Sequence, residues 1–358
     1  MSDFTFKMTV ATNVGLVRTN NEDNFIVNPD LTQGEWYIPS DTDAVIPLGK
    51  NGAVMVVADG MGGMNAGEVA SELAVSSIRH SFESVEDFSK VVDCSNHIES
   101  FLKRAIVDAD SIIKHRVKED PSTSGMGTTI VVAWVIDNVA HVAWCGDSRA
   151  YLFNHQYGLS RLSRDHSYVQ ELVDSGKLDA ELAFDHPNSN IITRSLGDSA
   201  VKAQPDYVCK RLSAGDFIIL CSDGLCGLVR DEEILELMMK EYDSIEDYKK
   251  ELFNAALEAG GYDNITIGVF QCVSVKESEL TDTVAPGASS RKSKAGKSFG
   301  KGTHHEKEQG DYPEQRSGKK WLWIVVILLV LAALCFAAFH FGLVSLDEAR
   351  HIQFNLNK

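Results

Sequence analysis

The sequence predicts an α+β protein in four layers, an α/β/β/α sandwich of two antiparallel sheets flanked by helices, plus one C-terminal transmembrane helix. Short runs that are continuously apolar, or apolar at every second position, recur along the first 275 residues, as strands of packed sheets do. Longer stretches with helical periodicity lie between these runs. Strands in two layers with helices outside account for both patterns.

The elements follow from these patterns in chain order. The strand candidates are residues 53–58, 129–136, 139–145, 149–153, 217–221 and 265–270. The helix candidates are residues 66–82, 96–117, 167–174, 231–240 and 244–259. Two facing sheets present their strand ends and loops at a common rim, where we expect the functional residues to meet.

Composition limits the class of protein. The chain has 358 residues and a formal net charge of −17, which argues against nonspecific binding to nucleic acid, because that binding depends on basic patches. The seven cysteines include no CxxC pair and mostly lie in apolar runs, which indicates free thiols in a reducing compartment. The first ten residues lack a sustained apolar run, so we expect the domain to start in the cytosol.

The C-terminal part divides into three segments after a domain at residues 1–275. Residues 276–320 are rich in polar and small residues and are predicted to be a flexible, partly basic linker. Residues 321–343, from Trp321 to Leu343, are uncharged and apolar, long enough to cross a hydrocarbon core of about 30 Å. Residues 344–358 form a short tail.

Charges around the apolar run predict its orientation. Lys319 and Lys320 precede it, whereas Asp347 and Glu348 follow it, so the positive-inside rule places the N-terminal domain in the cytoplasm. The expectation is a single-pass protein of the cell membrane. The basic part of the linker is attracted to anionic lipid or is a solvated tether, and the sequence leaves both open.

Four aspartates stand where apolar runs meet polar or glycine-rich turns: Asp23, Asp59, Asp223 and Asp263. Any one of them has an ordinary explanation as a turn residue, since Asp-Gly is a common turn dipeptide. Several carboxylates gathered at one rim are costly without a compensating cation. Oxygen ligands of this kind suit Mg²⁺ or Mn²⁺ better than Zn²⁺.

The residues of these segments and their order along the chain resemble those of the metal-dependent protein phosphatases of the 2C type, in their bacterial form. The resemblance covers roughly residues 5–272. It rests on several separate stretches in family order: 18–23, 59–71, 127–129, 146–149, 162–167, 190–197, 222–225 and 263–266. It implies the same sandwich fold, two Mn²⁺ or Mg²⁺ ions, and direct hydrolysis of phosphoserine and phosphothreonine by a metal-activated water.

The resemblance also implies a role for each matching residue. Asp59 bridges the two ions, Gly60 offers its carbonyl, and Asp223 and Asp263 complete one coordination shell. Asp23 is the best match to a further metal ligand. Glu22 either binds metal directly or holds a metal-bound water, and the sequence leaves this open.

Two further residues correspond to auxiliary functions in the family. Arg18 is expected to bind the substrate phosphate, because its planar guanidinium can hold two phosphoryl oxygens; the alternative is a surface salt bridge. Asp147 corresponds to the ligand of a third, weaker metal, with an ordinary turn carboxylate as the alternative. Gly227 stands where some members carry another carboxylate, which puts occupancy of that third site in doubt.

The general acid has no obvious candidate. Eukaryotic relatives have a histidine after the Asp-Gly pair, whereas this chain has Met61. His166 and His186 lie in residues 165–200, a segment that resembles the mobile flap beside the family's active site. A lone histidine is more often structural than catalytic, and a metal-bound water is the other source of the proton. We expect the flap to contact substrate.

The resulting functional expectation is a membrane-tethered serine/threonine phosphatase with a catalytic domain that is monomeric. By resemblance, its partners are phosphorylated proteins and a Ser/Thr protein kinase that it counteracts. The alternative is a catalytically silent membrane scaffold or receptor that keeps the fold. Retention of every residue expected to hold the first two metals favours the enzyme.

Overall fold

The computed structural model describes residues 4–62 and 66–275. Within these ranges no helix combines the length and the apolar character needed to span a membrane. The predicted linker, transmembrane helix and tail at residues 276–358 lie outside the described residues.

Twelve strands are present in the described part of the chain. They are β1 (Thr5–Asn13), β2 (Asp23–Asn28), β3 (Ile46–Pro47), β4 (Ala53–Met61), β5 (Gly127–Thr128), β6 (Ile130–Ile136), β7 (Val139–Cys145), β8 (Arg149–Asn154), β9 (Gly158–Arg161), β10 (Asp206–Arg211), β11 (Phe217–Cys221) and β12 (Ile265–Ser274).

Six α-helices accompany these strands in the same ranges. They are α1 (Ala66–Glu83), α2 (Ser95–Glu119), α3 (Tyr168–Asp174), α4 (Asp223–Cys226), α5 (Asp231–Met238) and α6 (Ile245–Glu258). Side chains cap two of them, because the hydroxyls of Ser167 and Ser244 accept backbone N–H bonds at the starts of α3 and α6.

The strands form two antiparallel sheets. The first has the order β3-β1-β12-β11-β8-β9, and the second has the order β10-β7-β6-β4-β2, with β5 paired to the end of β4. The central strands are buried on both faces; β6 and β11, for example, have no exposed residue. This explains why their sequences are continuously apolar.

Three hydrophobic cores separate four layers. The core between the sheets contains Phe6, Met55 and Phe270. Helices α1 and α2 cover the outer face of the second sheet around Trp134, and α4 to α6 cover the first sheet around Leu252. The predicted two antiparallel sheets with flanking helices are therefore confirmed.

The strand prediction missed four longer elements. Strands β1 and β2 mix apolar with polar residues, and the half-exposed edge strands β9 and β10 contain charged residues. Edge strands bury one face at most, so their sequences carry a weaker apolar signal than central strands.

Candidate metal centre and active site

Asp59 lies inside β4, two residues before the strand ends, with its backbone held from both sides. Its N–H donates to Thr129 Oγ1 at 3.1 Å. Its carbonyl oxygen accepts from the N–H of Thr129 at 2.9 Å and from Thr128 Oγ1 at 2.9 Å. The carboxylate of Asp59 therefore projects from a backbone segment that three hydrogen bonds hold in place.

Asp23 is the cross-strand partner of Asp59, because β2 and β4 pair in that register. One oxygen of Asp23, Oδ2, accepts hydroxyl hydrogen bonds from Ser222 and Thr266, both at 2.7 Å. Burial nevertheless raises the pKa of Asp23 to about 7. Two hydroxyls thus orient this carboxyl group, and the surrounding negative charge opposes its ionisation.

Asp223 is the first residue of α4 and is separated from the end of β11 by Ser222 alone. Its neighbour Gly224 packs so closely that an added Cβ would lie 1.9 Å from the carbonyl oxygen of Asn264. This contact requires glycine and brings α4 against the loop that carries Asp263. Burial is the main cause that raises the pKa of Asp223, and the charge of Asp263 adds to it.

The pKa of Asp59 is raised more strongly than that of Asp223. Burial raises its pKa well above the ordinary value, and the charges of Asp223, Asp23 and Asp147 raise it further. Asp23, Asp59, Asp147, Asp223 and Asp263 therefore interact electrostatically with one another although they are far apart in the sequence, and we call these five residues the carboxylate cluster.

Glu22 and Gly60 lie at the same rim. The N–H of Gly60 donates to the carbonyl oxygen of Glu22 at 3.2 Å, and a Cβ on Gly60 would meet the carbonyl oxygen of Gly67 at 2.2 Å. Close backbone packing thus excludes a side chain at residue 60. Burial raises the pKa of Glu22.

Arg18 and Asp263 form an ion pair at the edge of the cluster. Arg18 Nη2 donates to Asp263 Oδ2 at 2.7 Å, and this hydrogen bond is the main cause that raises the pKa of Arg18. The guanidinium is therefore in direct contact with one of the predicted metal ligands.

Asp147 lies buried in the turn between β7 and β8. Its Oδ1 is one of the buried side-chain atoms without a hydrogen-bond partner in the described residues. Burial raises the pKa of Asp147, and the nearby charge of Asp223 raises it further. An unpartnered buried carboxylate oxygen that faces other carboxylates is chemically suited to a cation.

Arg149, two residues further on, belongs to a buried network and not to the cluster itself. It donates to Asp165 Oδ2 at 2.7 Å and to Asp231 Oδ1 at 3.0 Å. Tyr151 also donates to Asp231 at 2.8 Å. This network joins β8 to the start of the flap and to α5.

The donor set fits a hard divalent metal centre. The converging side chains are all carboxylates, and burial together with neighbouring negative charge raises the pKa values of Asp23, Asp59, Asp147 and Asp223. Oxygen donors of this kind suit Mg²⁺ or Mn²⁺. A bound cation would lower the pKa of each carboxyl group and relieve the repulsion.

The two flap histidines have different surroundings. His166 is buried; its Nδ1 accepts the N–H of Gly146 at 3.1 Å, so Nε2 carries the proton and lies 3.0 Å from Asp206 Oδ2. Burial lowers the pKa of His166. These contacts make His166 a support for the turn that carries Asp147. His186 accepts the backbone N–H of Asn188 within the flap.

A cavity of about 500 Å³ opens between the flap and the carboxylate cluster. Its lining includes Asp147, Asp223 and Asp263 from the cluster. Phe184 of the flap and Arg230, next to α5, form part of the opposite wall. The predicted flap thus forms one side of a groove that leads to the predicted metal ligands.

Sequence reasoning missed the residues whose hydroxyls bond the carboxylate of Asp23 or the backbone of Asp59. These are the hydroxyl residues Ser222, Thr266, Thr128 and Thr129. All four are fully buried. The available signal was a polar residue within or next to an otherwise apolar strand, which in a core needs a hydrogen-bond partner.

The fold and this centre define a class: an enzyme that hydrolyses phosphate esters at a dinuclear Mn²⁺ or Mg²⁺ centre. The family model for protein phosphatase 2C matches residues 11–265. The chain belongs to the protein phosphatase 2C family, and it is a metal-dependent protein-serine/threonine phosphatase.

Relatives and solved structures agree with this assignment. The chain is 34% identical over 266 residues to the protein phosphatase PhpP of Streptococcus pneumoniae, which covers 74% of this chain and 96% of the relative. The serine/threonine phosphatase Stp1 of Staphylococcus aureus superposes with a TM-score of 0.64 at 33% identity, covering 74% of this chain and 94% of Stp1.

A third comparison bears on the cofactor. The catalytic domain of the serine/threonine phosphatase PstP, solved in complex with two manganese ions, superposes with a TM-score of 0.59 at 30% identity. The match covers 76% of this chain and all of that domain.

Proposed function

We propose that this protein removes phosphate from phosphoserine and phosphothreonine in proteins at the cytoplasmic face of the cell membrane, where it counteracts a Ser/Thr protein kinase. The observation that carries the catalytic part is the cluster of Asp59, Asp223, Asp23 and Asp147, whose pKa values are raised first by burial and then by the charges of neighbouring carboxylates. The named relatives PhpP, Stp and PstP are phosphatases, which supports the same chemistry here.

The residues have distinct tasks in this account. Asp59, Asp223, Asp263 and the carbonyl of Gly60 would hold the ions. When bound, the two ions activate a water and neutralise charge on the phosphoryl oxygens. Two hydroxyls already donate to Oδ2 of Asp23, so its other carboxylate oxygen, Oδ1, would be the one to bind metal.

Arg18 is proposed to orient the phosphoryl group. Its guanidinium reaches Asp263 at 2.7 Å, so the same side chain can reach a phosphoryl oxygen beside that carboxylate. Arginine suits this task because it stays charged and can donate two parallel hydrogen bonds.

Protonation of the leaving hydroxyl has no side-chain donor among the candidates, since neither His166 nor His186 lines the groove. Met61 follows the Asp59-Gly60 pair, and the single proton of neutral His166 points to Asp206. We therefore assign this proton to a water in the groove.

The membrane part of the proposal rests on sequence. Residues 321–343 are uncharged and apolar over 23 positions, with Lys319 and Lys320 on one side and Asp347 and Glu348 on the other. These features support one membrane crossing with the catalytic domain in the cytoplasm. The partly basic linker at 276–320 would let the acidic domain stand away from anionic lipid.

Two experiments test the proposal. The full-length protein, in detergent, should hydrolyse a phosphothreonine peptide with Mn²⁺ or Mg²⁺ and lose this activity in chelator. No turnover by folded, metal-loaded protein would instead support the silent scaffold.

Fractionation of cells tests the location. The full chain should sediment with membranes and resist extraction by salt, whereas a chain ending at Val275 should be soluble and active. Recovery of the full chain in the soluble fraction would refute the anchor.

A further inference from the structure

Three large side chains lie exposed beside the carboxylate cluster. Leu16 is 67% exposed, Val17 is 60% exposed and Tyr262 is 62% exposed. Val17 directly precedes Arg18, and Tyr262 directly precedes Asp263. Single exposed apolar residues are ordinary, but a group of them at a functional site indicates an interaction surface. We call Leu16, Val17 and Tyr262 the apolar patch.

The two loops that carry the patch are held together. The N–H of Leu16 donates to the carbonyl oxygen of Gly261 at 2.7 Å, and Arg18 contacts Asp263 at 2.7 Å. Gly15 has a φ of 78°, and a Cβ there would lie 2.2 Å from the carbonyl oxygen of Asp263. The patch is therefore a defined surface and not a pair of separate loop tips.

The patch continues into the substrate groove. Tyr262 and Asp263 both line the cavity of about 500 Å³ between the flap and the cluster. An extended polypeptide advances about 3.3 Å per residue. If its phosphate lies between Arg18 and the cluster, the residues one or two positions away reach the patch.

We propose that the apolar patch contacts the substrate polypeptide beside the phosphoresidue and selects for a large apolar side chain within two residues of it. This inference rests on the proposed function and specifies its substrate class. An apolar side chain on the patch removes apolar surface from water on both partners. A small polar side chain at the same place leaves the patch hydrated.

The observations favour a substrate over a second copy of this chain as the occupant. A stable interface between proteins buries about 800 Å² on each partner, far more than three side chains provide. The net charge of −17 also makes two copies repel each other.

The test compares two phosphothreonine peptides that differ only in one neighbouring residue, leucine or serine, with the full-length protein and Mn²⁺. The measured quantity is the ratio of the two kcat/KM values. We expect the wild type to prefer the leucine peptide by roughly tenfold, the scale of discrimination by a small hydrophobic contact. p-Nitrophenyl phosphate, which has no neighbouring residues, reports whether each protein is active.

Substitutions then locate the preference. In the triple variant Leu16→Ser/Val17→Ser/Tyr262→Ser the ratio should fall to about one. The matched control is Tyr157→Ser, because Tyr157 is 78% exposed in the turn between β8 and β9; its ratio should equal that of the wild type.

The outcomes separate the inference from the proposed function. Equal kcat/KM values for both peptides in the wild type, or a preference that survives in the triple variant, would overturn the inference and leave the phosphatase intact. Failure of the wild type to hydrolyse the peptides and p-nitrophenyl phosphate with Mn²⁺ would overturn the proposed function and the inference with it.

Discussion

Asp23 and Asp59 lie directly opposite each other in the ladder between β2 and β4. Like charges at opposite positions destabilise a sheet, and both of these carboxyl groups are buried with raised pKa values. The register of two strands thus holds two carboxylates together before any cation binds. The site is organised for a cation at a cost in stability to the metal-free protein.

Replacement of Asp223 by asparagine should separate activity from stability. It removes one predicted ligand charge without changing volume, so turnover of a phosphothreonine peptide should fall by about a hundredfold or more. The metal-free variant should melt at a temperature equal to or above that of the wild type, because one charge leaves a repelling cluster. Near-normal turnover would refute the metal role of Asp223.

Asp216→Asn is a suitable control for that variant. Asp216 is a buried aspartate that immediately precedes β11, and it accepts hydrogen bonds from Asn154 and from the N–H of Ser213. Its substitution should lower the melting temperature while leaving the metal dependence of turnover unchanged. The two variants should therefore differ in the sign of their effect on stability.

Stabilisation by Mn²⁺ should grow as pH rises toward about 7. Burial raises the pKa of Asp23 to about 7 from an ordinary 3.8. The folded, metal-free protein therefore binds a proton that the unfolded chain releases in this window, and it loses stability as pH rises. Metal binding needs the ionised form, so metal and proton compete.

Thermal unfolding at pH 5.5, 6.5 and 7.5, with Mn²⁺ and with chelator, checks this expectation. The difference between the two melting temperatures should widen by at least about 3 °C. Burial lowers the pKa of His141 to about 4, so this residue makes the folded protein more stable as pH rises. That contribution is the same with Mn²⁺ and with chelator, and it therefore cancels in the difference between the two melting temperatures. A difference that is constant or shrinks with pH would contradict the account.

Arg18→Gln should weaken substrate binding more than it weakens the fold. Arg18 is exposed, and an exposed ion pair contributes about 0–1 kcal/mol to stability, so the melting temperature should barely change. Loss of the phosphate contact should raise KM for a phosphopeptide roughly tenfold or more. If instead KM is unchanged and only stability falls, Arg18 is a structural salt bridge with Asp263.

Arg230 should control the mobility of the flap. It contacts Asp185 Oδ2 at 2.5 Å and lies over the ring of Phe184 at 4.2 Å, which links the flap to the start of α5. Arg230→Ala should speed hydrogen exchange at residues 180–190 several-fold, with little change in global stability.

Arg79→Ala is the matched control for Arg230→Ala. Arg79 also pairs with a carboxylate, Glu83 at 2.7 Å, and lies over an aromatic ring, that of Trp36 at 5.9 Å. It belongs to α1, outside the groove, so its removal should leave exchange in the flap unchanged. Equal exchange in the flap of both variants would show that the Arg230 contacts do not hold it.

The sequence predicted the elements whose pattern of apolar residues is visible within a single short segment. Strands β7 and β11 match their predicted ranges because they are buried on both faces and therefore continuously apolar. Strand β10 was missed because it is an edge strand whose last residues, Cys209, Lys210 and Arg211, are exposed. Helices α1 and α2 were predicted to within two residues because each has one long apolar face.

The parts of the site that depend on long-range pairing could not be predicted. The contact of Arg18 with Asp263 joins residues 245 positions apart, and the hydroxyl of Thr266 reaches Asp23 across 243 positions. The four aspartates were identifiable from their turns and from the family resemblance. Their register and the hydroxyls that bond Asp23 and Asp59 required the strand pairing itself.

The most direct test of the metal centre is a titration of the full-length protein and Asp59→Asn with Mn²⁺, in which bound metal and turnover of a phosphothreonine peptide are measured together. The account predicts two tightly bound ions with metal-dependent turnover in the wild type, and loss of both in the variant. Two bound ions and normal turnover in Asp59→Asn would contradict it.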